Sequence, residues 1–356
     1  MDINKFIDYL RLYRQDRKKL CEAAALIAAT PNISRNLPLP KQVDQEIKKY
    51  CRNVLKGKGS PDWIRILVAL TKEFKYGYLP EDFLINRLIP WLNPPGMTWW
   101  VVDKGNLEII FKDDAVPVLL TFDAGALRTN KLDLVSIQNI DLLKNVVNNI
   151  LEDYNEVCLK FLGSSQGRNV YFLNNLEDIL QIIKSGQRFV IQKCVNQHKD
   201  LAIFNQSSVN TVRIISLQWN GSIRILSSYL RTGSRGRRVD NIHSGGIGIG
   251  VDLQSHSLFA EGWGNNYNKH NNHPDTGIIF NGNKVPSMDK AIEVVVRAHS
   301  RIPVSQFLGW DIAIDTNGKP LIVEVNSHPN SLRAQVINGP LFQSHTDEIL
   351  HSWFNQ

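Results

Sequence analysis

Cysteine is scarce: four residues in 356 (Cys21, Cys51, Cys158, Cys194), far apart and without local pairing. That spacing excludes a disulfide-stapled scaffold and the paired-cysteine pattern of a zinc site, and fits a reducing compartment. Long apolar runs are also missing. The longest early one, residues 23–29, falls far short of the roughly 20 residues a spanning helix needs, and the opening MDINKFIDYL has neither the basic head nor the apolar stretch of a secretory leader. A cytoplasmic protein without a transmembrane segment is therefore expected. Repeats and low-complexity segments are lacking, and no Gly-Lys-Ser/Thr run of the P-loop kind occurs. Lys and Arg outnumber Asp and Glu, 41 to 34, for a net charge of +7. The basic residues are dispersed, with no tract or recognition motif for nucleic acid, so the excess suits smaller anionic partners such as phosphates or acidic glycans.

What is present divides at NPPG (93–96), a turn-forming cluster between two textures. Upstream the periodicity is helical: Phe6, Leu10 and Tyr13 share a face, as do Val43, Ile47, Tyr50 and Val54, and they are expected to pack a helical region over 1–95. SPDW (60–63) and PEDF (80–83) read as helix starts, the first with Ser as cap and Pro in the first turn. Downstream, strands dominate. VCLKFL and NVYFL flank the loop GSSQGR, a helical NLEDILQIIKSG follows, and then RFVIQKCV. SVNTVRIISL and IRILSSYL predict a hairpin across Asn220-Gly221. With 43% hydrophobic content the chain can bury the cores of two or three subdomains.

Several residue patterns carry chemistry. GSSQGR (163–168) has Lys160 three residues before it; it is either an ordinary Gly-Ser turn or a loop whose amides and neighbouring lysine approach phosphate. GWDIAIDTNGKPLIVEVN (309–326) reads as strand, turn, strand, which brings Asp311 opposite Glu324 and Asn326. Two carboxylates and an amide oxygen form a hard-oxygen set suited to Mg²⁺; otherwise Glu324 is a solvated strand-end acid and Asn326 a turn residue. Arg213 lies mid-strand among apolar neighbours, where a guanidinium needs an acidic partner or a ligand. His270 and His273 fall in a loop, KHNNHPD, so a surface or acceptor-site role is expected rather than a metal pair. His328 either touches substrate or shapes its turn, and Trp99-Trp100 are core or a sugar-stacking platform.

Taken in order, Asp103-Lys104, Lys160 before GSSQG, VIQKCV, VNTVRI and GWD…VEVN resemble the ATP-grasp superfamily. VNTVRIISL, DNIHSGGIGIGVDL, HPDTG and GWDIAIDTNGKPLIVEVN are similar to the sugar-transfer-associated ATP-grasp proteins and their glutamate-ligase-like relatives. The likeness runs from about residue 97 to the end.

The resemblance implies an α/β fold of two α+β lobes, the ATP-grasp fold, behind a helical N-terminal region. It implies residues 96–150 as the first part of the module, 151–205 as a nucleotide-binding lid and 206–356 as a C-terminal lobe with the metal site. Lys104 and Lys160 take the places of phosphate-binding lysines, and Gly163, Ser164, Ser165 and Gly167 those of a loop over the triphosphate. Gln192, Lys193 and Val195 belong to the hinge that holds adenine, Gln192 standing where a Glu is usual, and Asp200 rather than Asn196 falls to the ribose. Asp311, Glu324 and Asn326 match magnesium ligands, with Glu324 bridging two ions. Arg213 faces the transferring phosphate with Asn210 and Asn241 nearby, and Gly245, Gly246, Gly248 and Gly250 either bring backbone close to substrate or form a glycine-rich bulged strand. The implied activity is ATP-dependent ligation of a carboxylate to an amine, on a sugar acid or acidic glycan precursor of surface polysaccharide. A kinase acting on a hydroxyl, or a nucleotide-binding module without catalysis, are the alternatives.

Overall fold

The computed structural model describes residues 3–123, 125–131, 133–163 and 170–355. Six strands form the smaller of two antiparallel sheets: β1 (Val118–Asp123), β2 (Ala126–Thr129), β3 (Leu134–Ser136), β4 (Val157–Phe161), β5 (Val170–Leu173) and β6 (Phe189–Lys193), in the order β3-β2-β1-β6-β4-β5. Seven form the larger: β7 (Thr211–Trp219), β8 (Ser222–Thr232), β9 (Ile247–Val251), β10 (Leu258–Trp263), β11 (Lys269–His270), β12 (Phe307–Ile314) and β13 (Pro320–Asn326), in the order β11-β10-β9-β8-β7-β12-β13. The smaller sheet draws strands from both the 96–150 and the 151–205 segments.

Period-two alternation decides what each sheet face does. In the smaller sheet Val157 and Leu159 of β4 and Phe189 and Ile191 of β6 pack under the helices Ile140–Asp153 and Leu176–Lys184, through Leu143, Val147, Ile179 and Ile183. Their alternates Cys158, Lys160 and Gln192 face the other way, into a cleft. In the larger sheet Leu308, Trp310, Ile312 and Ile314 of β12 pack with the helix Met288–His299. The fully buried members of such a cluster each contribute about 1.5–3 kcal/mol. The opposite face is shared. At one end Phe307, Ile215 and Leu217 are covered by the N-terminal helices, while at the other end Asp311 and Arg213 meet the cleft.

The helical front therefore has a structural role, closing one face of the large sheet. Ile47 and Tyr50 are buried in it as the periodicity predicts, and Ser60 caps the helix Pro61–Thr71 by accepting from Asp62 N at 3.2 Å. The expected packing of Leu10 and Tyr13 is overturned, since both are exposed (37% and 52%) on the first helix, α1 (Ile3–Ala29). Only the later turns of α1 reach the body, Ala23 being buried; the side chain of Phe6 lies outside the described residues.

Residues 95–116 run along β13 before entering the small sheet: Val101, Leu107 and Phe111 join the large-sheet core and Val116 N donates to Ile322 O at 3.0 Å. That path hangs Lys104 beside the end of β13.

Candidate active site

A cavity of ≈ 390 Å³ opens between the two sheets. Its walls bring together Lys104, Lys160, Gln192, Lys193, Val195, Arg213, Asn241, Asp311, Glu324 and Asn326, which the sequence places more than two hundred residues apart at the extremes. Strand register explains the assembly. Asp311 faces Glu324 on β13 and Arg213 on β7, so acid, acid and guanidinium line up across three adjacent strands. An irregularity after Asp311, where Ile312 pairs with Ile322, leaves Val323 as an extra residue and re-aims the end of β13. Gly309 makes room for Pro329, whose Cβ would lie 2.8 Å from an added Cβ.

The large-lobe wall is a saturated ionic network. Arg213 donates to Asp311 through Nε and Nη2, the latter at 3.0 Å; Arg231 donates to Asp311 Oδ2 at 2.7 Å and to Asp240 Oδ1 at 2.9 Å. Asp240 also accepts from Thr211 N at 3.1 Å. All four charged groups are buried or nearly so. Burial alone would raise the Asp311 carboxyl, but the two guanidinium groups outweigh it and hold Asp311 well below the usual carboxylate range. For Asp240 burial prevails over Arg231, and the carboxyl is pushed up. Beside the network, Lys104 Nζ reaches Glu324 Oε1 at 3.0 Å.

The small-sheet wall is unsatisfied by contrast. Gln192 is 1% exposed, yet among the described residues neither its amide nitrogen nor its amide oxygen has a hydrogen-bond partner. Asn326 Nδ2, on the opposite wall, is likewise buried and unpaired. A buried polar atom without a partner costs about 1–3 kcal/mol, so three of them on residues that line one cavity require a reason. Cys194 joins the same wall; burial, the nearby Cys158 and Glu156 push its thiol up to about 12, which makes it a poor nucleophile.

Other expected residues fall elsewhere. Asn210 is fully buried behind the wall, its Nδ2 donating to Gln197 Oε1, Leu201 O and Asn205 O, so it braces the β7 entry and does not face the cavity. Asp200 is exposed on a short helix and Asn196 is on the wall in its place. Gly163 is described but lies off the wall; Ser164, Ser165 and Gly167 lie outside the described residues. Gly246, Gly248 and Gly250 are pressed against the protein's own atoms (Asp240 O, Ile242 and the Phe259 ring), which leaves their backbone facing protein, not ligand. Gly245 alone of the four is open, with φ +100°. Asn241 caps the turn Ile242–Ser244 by accepting from His243 N. His273 is not at the surface but buried, bonded to Gly233 O at 2.8 Å. Trp99 and Trp100 are exposed and belong neither to the core nor to the cavity wall.

Sequence reading missed Arg231, Asp240 and a contact between the lobes: Arg238, from the large-lobe loop, bonds Glu156 through two nitrogens and lies 3.7 Å over the Phe172 ring. The Asn220-Gly221 turn sets a register in which Trp219 faces Ser222, but an extra residue in β8 between Ile225 and Ser227 shifts the pairing, so that Arg213 faces Tyr229 and Thr211 faces Arg231. The shift turns Arg231 onto the Arg213 face.

Two sheets closing on a charged cleft, one wall with an unpaired hinge amide and the other with acids at a strand end, define an ATP-grasp fold. Residues 150–350 match the family described as sugar-transfer associated ATP-grasp, and the chain belongs to that family. Among solved structures it is similar in fold to the L-amino acid ligase from Bacillus licheniformis (13% identity over 70% of this chain and 47% of that one, TM-score 0.40). Further likenesses are to D-alanyl-alanine synthetase A from Vibrio cholerae (12%, 71% and 64%, 0.38) and to biotin carboxylase from Campylobacter jejuni (12%, 71% and 46%, 0.42). The chain spans about half the length of the first of these ligases. No curated protein matches it.

Proposed function

We propose that the protein is an ATP-dependent carboxylate–amine ligase acting through an acyl phosphate. The observation that carries this reading is the buried, unpaired Gln192 amide on the wall of a cavity whose other side holds Lys104, Glu324, Asp311 and Arg213. One amide offers both a donor and an acceptor, the complement of an adenine edge. Lys160, Lys104, Lys193, Val195 and Asn196 line the same cavity; on this reading the first two serve the phosphates and the other three the base and ribose.

The donor set fits Mg²⁺ by its chemistry. Among the described residues no group of three or more His, Cys, Asp or Glu side chains could hold a metal, yet Mg²⁺ needs only one or two carboxylates beside phosphate and water. Glu324 has Oε1 on Lys104 and Oε2 available; Asp311 spends three of its roughly four lone-pair sites on arginine. Glu324, Asn326 and Asp311 would hold the ion, which acts when bound as a Lewis acid toward phosphate oxygens.

In the reaction a substrate carboxylate oxygen bonds to the γ-phosphorus and ADP leaves; an amine then attacks the acyl carbon, phosphate leaves, and a proton is lost. Arg213 stabilises charge that grows on the transferring group, because its fork is already fixed by Asp311. The lobes exclude water and align the reactants, an effect that reaches roughly 7–11 kcal/mol at best. The excess of cations on the walls and in the chain favours an acidic substrate, a sugar acid or acidic glycan precursor for surface polysaccharide, with an amino acid or amine as second partner and cytoplasmic ATP as the donor. Incubation with MgATP, uronic acids and hydroxylamine tests this: a hydroxamate is expected, whereas a phosphorylated sugar would replace ligation by kinase chemistry.

A further inference from the structure

α1 is divided along its length. Its later turns are tied to the body: Asp16 pairs with Arg87 and Asn86, and Ala23 is buried. Its first turns are not. Ile7 (51%), Leu10 (37%) and Tyr13 (52%) are exposed, and so are Arg11, Arg14, Arg17 and Lys18, none of which makes an ion pair among the described residues. At about 100° per residue these seven side chains fall within roughly 160° of arc, on the side away from Asp16 and Ala23. Asp8, an acid of the same stretch, projects outside that arc. Among the described residues the outward face of α1 is thus apolar and basic, with no compensating acid.

We infer that this face seats the protein on an anionic lipid surface. Apolar side chains set between unpaired guanidinium and ammonium groups suit the boundary between acyl chains and negatively charged headgroups, where Arg and Lys stems lie along the apolar layer and their heads reach phosphate. A second copy of the same chain suits the face poorly, because two such faces would oppose four cations with four cations. The helix lies on the membrane and does not cross it: no helix of the described residues is long and apolar enough to span. This placement is independent of the catalytic reading, since none of these residues touches the cavity.

The test is co-sedimentation of the full chain with vesicles of phosphatidylcholine alone or with one-third phosphatidylglycerol, at low and high salt. Binding is expected only with the anionic lipid and is released by salt. Arg14→Glu/Arg17→Glu should weaken it about thirtyfold or more, and Leu10→Glu/Tyr13→Glu should abolish it, with melting temperatures unchanged because the sites are exposed. Absence of vesicle binding by the unaltered chain overturns the proposal. So does salt-insensitive binding, and so does self-association in sedimentation velocity that the same variants remove, which would assign the face to a second copy.

Discussion

The two walls of the cavity are built on opposite principles. On the large-sheet wall the charged network is complete without a ligand: Arg213, Arg231, Asp240 and Asp311 satisfy one another, buried between strands that a helix braces from behind, and only the Asn326 amide nitrogen beside them lacks a partner among the described residues. The small-sheet wall is incomplete: among the described residues Gln192 is buried with both amide atoms unpaired, and Lys160 stands on the wall without an ion pair. The difference teaches where stability and affinity are stored. On the proposed function, the charges assigned to the transition state are fixed in advance at the cost of desolvation, whereas the group assigned to the base is kept unpaired at the cost of stability.

The contrast can be broken most severely at Asp311. Asp311→Ala leaves two buried guanidinium groups facing each other, and a loss of about 3–5 kcal/mol in unfolding free energy is expected from urea titration; a loss under about 1 kcal/mol would mean that the network relaxes into solvent. Arg213→Lys is next. Pairing with a buried acid is what a purely structural arginine requires, so position alone does not establish a catalytic part. If the planar fork acts on the transferring group, single-turnover rate falls roughly a hundredfold to a thousandfold, about 2.7–4 kcal/mol, with ATP affinity little changed. A lower melting temperature with a normal rate assigns Arg213 to the network alone.

A third test lies beneath the large sheet, away from the cavity. His299 is buried between Ser216 and Ser305 O, and burial lowers its pKa from 6.5 to about 4. The folded state therefore binds this proton less readily than the unfolded chain. Its contribution is fully present above about pH 6.5 and is lost as pH falls toward 4, about 3 kcal/mol in all. His299→Gln should flatten that part of the pH–stability curve, and an unchanged slope would place the acid sensitivity elsewhere. Smaller still, Lys160→Ala is expected to weaken ATP about tenfold by calorimetry without a stability change.

Much of this is legible in the sequence where local rules govern. The Asn220-Gly221 hairpin, the TNGK hairpin with Asp311 opposite Glu324, and the Ser60 cap follow from turn and cap chemistry that a few residues determine. Arg231 and Asp240 stay hidden because an extra residue in β8 reverses the facing of every position beyond it, and nothing in SSYLRT marks the shift. Asn210 reads as a cavity residue because a polar side chain near a catalytic strand looks alike whether it faces ligand or backbone; its three main-chain and side-chain acceptors appear only when the loop 197–210 is folded. The outward face of α1 reads as core because periodicity reports that a helix has an apolar side, not whether anything covers it.

The central claim is that the lid keeps Gln192 unpaired in order to bind a base. Gln192→Leu fills nearly the same volume and removes both unpaired atoms. Calorimetric titration with MgATP, together with urea unfolding of the same preparation, measures both sides of the claim. The expected result is a gain of about 1–3 kcal/mol in stability and a loss of about tenfold or more in nucleotide affinity. Unchanged affinity for ATP in a stabilised Gln192→Leu protein would contradict it.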